Sequence, residues 1–114
     1  MDVSYLFAGL AVANRDAAAA WYERLLGRPA DMLPNDDEAA WQLTGSGSVY
    51  LVADPERAGS GVVTLIVTDL DACLAGLAAR GIPTGPVAAV GTAGRKCVLT
   101  DPDGNQVSIV ELAG

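Results

Sequence analysis

The feature that most limits the folds open to this chain is an internal repeat. Superposing Val12 on Val67 lays FAGLAVANRDAAAAWYERLLG over VVTLIVTDLDACLAGLAARG, and both stretches read apolar strand, Asn or Asp cap, helix, glycine. The elements around them recur in the same order. An alternating strand is expected from Tyr5 to Val12, then a helix from Asp16 to Leu26, capped by Asn14 and stopped by Gly27 and Pro29. Short strands follow at Ala30–Leu33, Glu38–Leu43 and Ser48–Ala53, separated by the turn residues Pro34-Asn35-Asp36-Asp37 and Gly45-Ser46-Gly47. The second half repeats this with a strand at Val62–Val67 and a helix at Leu70–Arg80, capped by Asp69 and stopped by Gly81 and Pro83. Its strands are expected at Val87–Val90, Lys96–Thr100 and Gln106–Leu112, the last two joined by a turn at Asp101–Asn105. The expected fold class is α+β, with two tandem βαβββ modules at 4–54 and 62–113, a linker at 55–61, and one domain spanning 1–114. A chain of 114 residues buries about two-thirds of its unfolded surface, enough to fold without staples.

Side chains on a strand alternate with period two, so parity sorts the strand residues onto two faces. One set is Leu6, Ala8, Leu10, Val12, Val49, Leu51, Ala53, Val63, Leu65, Val67, Val107 and Ile109; all are apolar and are expected under the helices. The other set is Phe7, Gly9, Ala11, Ser48, Tyr50, Val52, Val62, Thr64, Ile66, Gln106, Ser108 and Val110. Its mixture of apolar bodies with hydroxyls, an amide and a glycine suits either a ligand cavity or a subunit interface. Both readings leave this face covered.

Composition removes several kinds of chemistry. The chain has no histidine, so a Ser-His-Asp triad, a histidine-ligated zinc site and a histidine general base are all excluded. A net charge of -7 repels phosphate backbones and anionic membrane surfaces, so neither nucleic acid nor membrane is an expected partner. The sequence shows no secretory signal and no apolar run of membrane-spanning length, which points to the cytoplasm. Cys73 and Cys97 are expected as reduced structural thiols, and Lys96, the only lysine, as a solvated edge charge.

The segments Leu10-Ala11-Val12 to Asn14-Arg15-Asp16, Trp21-Tyr22-Glu23-Arg24-Leu25-Leu26-Gly27, Val67-Thr68-Asp69-Leu70-Asp71 and Thr100-Asp101-Pro102-Asp103-Gly104-Asn105 give the chain a resemblance over essentially its whole length. It resembles the vicinal oxygen chelate superfamily, which includes glyoxalase I, extradiol dioxygenases, fosfomycin-resistance enzymes and bleomycin-resistance proteins. The resemblance implies paired βαβββ modules whose curved mixed sheet encloses a cleft, and a homodimer. In the family's metalloenzymes a divalent metal sits in that cleft. Its ligand positions carry over to Phe7 on the first strand, Val62 on the second module's first strand, Ser108 after DPDGN, and the neighbourhood of Tyr50. Phe and Val cannot coordinate a metal, and neutral Ser and Tyr hold a divalent ion poorly, so no metal and no cofactor are expected.

Phe7, Gly9, Val62, Thr64, Gln106 and Ser108 are thus candidate ligand-binding residues, with Tyr50 able to stack, to donate a hydrogen bond or to act as an acid. Parity pairs Trp41 with Leu43 and the helix-facing core, but a twisted strand at the cleft mouth would turn it into a stacking residue with Gln42 and Glu38 beside it. Three functions fit. The first is metal-free binding of a small molecule, such as an antibiotic or hydrophobic metabolite, in the manner of bleomycin-resistance proteins. The second is a metal-independent isomerase, cyclase or lyase, and the third is a non-catalytic dimeric assembly module.

Overall fold

Both helices start and stop by the same local chemistry. In the computed structural model, which describes residues 1–114, β1 (Leu6–Val12) leads through Asn14 into α1 (Arg15–Leu26), and β2 (Met32–Asn35), β3 (Glu38–Thr44) and β4 (Gly47–Ala53) follow. The second half repeats this as β5 (Val62–Ile66), α2 (Leu70–Ala79), β6 (Ala88–Val90), β7 (Gly94–Thr100) and β8 (Gln106–Leu112). The Asn14 side chain accepts a hydrogen bond from the Ala17 N–H, and Asp69 accepts one from Ala72. Each satisfies a helix donor that has no partner inside the helix. Gly27 (φ 81°) and Gly81 (φ 80°) take the left-handed conformation that ends each helix and that a Cβ would strain. At the start of α2, Glu111 on β8 accepts the Leu70 N–H and pairs with Arg95. That backbone donor, then the guanidinium, holds its carboxyl below the ordinary carboxylate range.

The sheets are mixed, with orders β1-β4-β3-β2 and β5-β8-β7-β6, and β1–β4 and β5–β8 run parallel. The expected curved sheet is therefore two four-stranded sheets, one in each half, with β1 and β5 as edges that share no ladder. β2 lies two residues later than the sequence suggests and includes Pro34. It is an edge strand whose register breaks between Met32 and Asn35, a place that tolerates a residue without an N–H. The stretch at 55–61 is a series of turns, held by the Arg57 N–H on the Asp54 carbonyl and the Gly61 N–H on Asn105.

Helix-facing residues from both sheets form one apolar core: Leu10, Val12, Trp41, Val49 and Leu51 from the first, Cys97, Leu99, Val107 and Ile109 from the second. Tyr22, Leu25, Leu70 and Leu77 of the helices close it. Each such side chain contributes on the order of 1.5–3 kcal/mol by leaving water. Leu6 departs from its parity set: at the first position of its strand it is largely exposed.

The turn between β7 and β8 joins the halves. One Asp101 carboxylate oxygen accepts the N–H groups of Asp103 and Asn105, which shapes the turn itself. The other accepts the Tyr22 hydroxyl of α1 at 2.7 Å and the Asn105 side-chain amide at 2.9 Å. Asn105, fully buried, also donates to the Ala11 carbonyl at 2.8 Å and accepts the Gly61 N–H at 2.8 Å. Burial first, and then the bond to Asp101, push the Tyr22 phenol far above its ordinary value. Arg80, following α2, donates to the Arg24 and Leu25 carbonyls at the end of α1. No helix is long and apolar enough to cross a membrane.

Candidate functional site

The parallel register of β1 and β4 sets Phe7 opposite Ser48 and Gly9 opposite Tyr50. On β3, Gln42 and Ala40 continue these rows, so the face turned away from the helices carries Phe7, Gly9, Gln42, Ser48 and Tyr50 together. The Phe7 and Tyr50 ring centroids lie 6.3 Å apart in an edge-to-face arrangement. Tyr5 adds a third ring, 4.9 Å from Phe7, and its hydroxyl is 2.5 Å from the Ser48 hydroxyl, which buries Ser48. Sequence reasoning placed no role on Tyr5, although its position two residues before Phe7 puts it on the same face. Tyr22 and Tyr5 both have hydroxyl partners, whereas that of Tyr50 has none in the chain and remains available to a ligand.

In the second half, Val62 faces Gln106 and Thr64 faces Ser108 across the β5–β8 ladder, with Val98 continuing the Ser108 row on β7. This face is mostly aliphatic and hydroxylated, with Lys96 of β7 opposite Val110, and has no ring. The structure thus gathers Phe7, Gly9, Gln42 and Tyr50 on one sheet and Val62, Thr64, Gln106 and Ser108 on the other. Trp41 belongs with neither. It is fully buried in the helix-facing core, 6.2 Å from the Tyr22 ring, with its indole N–H on the Arg28 carbonyl. Regular alternation along β3 holds at Trp41, so no twist turns it outward.

The outward faces stand largely uncovered. Phe7 is 51% exposed, Val62 66%, Ile66 58% and Val98 40%, while Ser48 and Val110 are buried. The one sizeable apolar groove, about 450 Å³, lies between the edge strands, with Leu6 and Ala8 of β1 on one side and Val63, Leu65 and Val67 around β5 on the other, and it reaches Ser48 and Ile66 of the outward faces. Of the candidates only Thr64 borders it. Contiguous exposed apolar surface of this kind marks an interaction site.

No three His, Cys, Asp or Glu side chains come together as a ligand cluster. The positions onto which the resemblance carries the metal ligands are Phe7, Val62, Ser108 and the neighbourhood of Tyr50, two hydrocarbon side chains and two hydroxyls that do not fit a divalent cation.

Two βαβββ units with these mixed sheets define the glyoxalase/bleomycin-resistance fold. The structure is similar to that of a glyoxalase / bleomycin resistance protein from Catenulispora acidiphila, with 41% identity, a TM-score of 0.89, and coverage of 96% of this chain and 98% of that one. It also superposes on TnmS3, an antibiotic binding protein from Streptomyces sp. CB03234 (22% identity, TM-score 0.79, 99% of each chain). A bleomycin resistance determinant encoded on the transposon Tn5 shares the fold at 20% identity, with a TM-score of 0.76 and the whole of both chains. No curated protein matches the sequence. The glyoxalase-like domain family matches residues 8–110, and the chain belongs to that family, within the vicinal oxygen chelate superfamily.

Proposed function

We propose that this protein binds a small molecule without a metal, in a cleft that a second copy of the chain completes. The observation that carries this reading is the outward face itself: apolar and aromatic, furnished with the hydroxyls of Tyr50, Thr64 and Ser108, and covered by nothing in its own chain. Apolar walls with a few directed polar groups are what a small-molecule site needs. The bleomycin-resistance and antibiotic-binding names of the similar structures support the same direction. In this reading Phe7, Tyr50 and Val62 form walls, Gly9 and Gln42 flank Tyr50, and Thr64, Gln106 and Ser108 orient polar groups. The two halves act as one domain, the protein works in the cytoplasm with both thiols reduced, and no cofactor takes part.

Mass spectrometry of the purified protein after incubation with a metabolite extract tests the proposal. A compound retained at near-equimolar amount and unchanged in mass is the expected result. Consumption of a bulk compound far beyond the amount of protein, with a new product mass, overturns it in favour of a metal-independent enzyme. Light scattering should give twice 11.6 kDa. A monomer that nevertheless retains the compound overturns the shared cleft.

A further inference from the structure

Gly9 lies in the middle of β1, and its backbone is not left-handed, so local conformation does not call for glycine there. The reason is steric. A Cβ at this position would stand 2.5 Å from the Tyr50 ring carbon that bears the hydroxyl and 2.7 Å from the hydroxyl oxygen. The phenol of Tyr50 therefore lies down across β1, in space that any other residue would fill, and this sets its ring edge to face with Phe7, whose ring in turn packs at a tilt on Tyr5. Glu38 is the one acidic or basic side chain on this face of β1, β3 and β4, where it accepts a hydrogen bond from the Asn35 side-chain amide; the chain as a whole carries -7. Ring faces attract cations through their quadrupoles, and a carboxylate adds to that attraction.

We propose that Gly9 is the shape-determining residue of the ligand face: by seating the Tyr50 ring against β1 it creates an angled Tyr5–Phe7–Tyr50 wall, on which a flat aromatic cation stacks on one ring and meets the next edge-on, in preference to a compact aliphatic one. This rests on the small-molecule reading above and gives it a ligand class. Gly9 is a positioning residue that acts through Tyr50. The ring atoms in its way are the far end of a flexible side chain, so an added methyl group swings the ring outward without breaking the strand.

The test is calorimetric titration of the full chain with proflavine, a flat tricyclic cation, and with adamantan-1-ylammonium, a compact cation of the same charge. Wild type should bind proflavine at least tenfold more tightly. Gly9→Ala should weaken proflavine at least tenfold and change the adamantyl cation by less than threefold. In a Tyr50→Ala background, Gly9→Ala should change proflavine by less than twofold, because the ring it displaces is gone. Equal losses for both cations, or a tenfold loss that persists without Tyr50, would mean that the substitution acts on the strand and would overturn the proposal. A wild type that binds proflavine no better than the adamantyl cation, or binds neither, also overturns it. The small-molecule reading then still stands or falls separately, on retention of a compound from the metabolite extract.

Discussion

The two halves share a backbone plan but differ in what they place on each face. α1 carries Trp21 and Tyr22, and its sheet presents Tyr5, Phe7 and Tyr50 outward; α2 has no aromatic residue and is mostly leucine and alanine, and its sheet presents Val62, Thr64 and Ser108. The turns before the last strands differ as much. Thr44–Gly47 in the first half is a short exposed hairpin, whereas the Asp101–Asn105 turn in the second buries its two end residues and hydrogen-bonds them to α1 and β1. Repetition fixes the elements and their caps, which depend on local chemistry. Divergence falls on the residues that join the halves and on those that would meet a ligand.

The joint is where the comparison breaks most easily. Asn105→Ala removes the bonds to Ala11, Gly61 and Asp101 and strands buried partners, so urea unfolding should show a loss of about 3–4 kcal/mol. A loss below about 1 kcal/mol would mean that packing alone holds the halves together. Tyr22→Phe takes one bond from the same network while keeping the ring, and should cost about 1–2 kcal/mol. Its pH dependence is specific. The folded phenol resists ionisation, so its contribution is complete below the unfolded value near pH 10 and is lost as pH rises beyond it. The stability curve of Tyr22→Phe should accordingly be flatter on the alkaline side.

A smaller effect belongs to the second half alone. The Glu111 carboxyl is depressed in the folded state, so its stabilisation is present above the unfolded value of about 4.3 and is lost as pH falls toward the folded one. Glu111→Gln should reduce the acid-side slope of stability in a urea and pH series; an unchanged slope would remove the role of this carboxylate at the start of α2. The smallest effect on stability is expected for Phe7→Val, which gives the first face the chemistry of the second. Because Phe7 is half exposed, the change should stay within about 0.5 kcal/mol, while retention of the bound compound falls. A large stability loss would instead make Phe7 part of the core.

Much of the fold was legible because its signals are short-range. Asn14 and Asp69 announced the helix starts, Gly27 and Gly81 the stops, and alternation along β1, β4, β5 and β8 separated the faces. Pro34 misled because a proline reads as a break unless the strand is known to lie at an edge, and strand order is not written locally. Within the candidate site, Phe7 and Tyr50 came from parity. Tyr5 was missed because the hydrogen bond that fixes it reaches a residue 43 positions away.

By itself the sequence determined the duplicated βαβββ plan, the division of strands into an apolar and a mixed face, and a chemistry without histidine. Period, capping and side-chain chemistry are properties of neighbouring residues and survive without a fold. Tertiary structure alone decided that DPDGN joins the halves, that the Tyr50 ring occupies the space above Gly9, and that the mixed faces are left largely open by their own chain. Each of these depends on which distant residue fills a given volume, and close packing settles that only once the sheets and helices are in place.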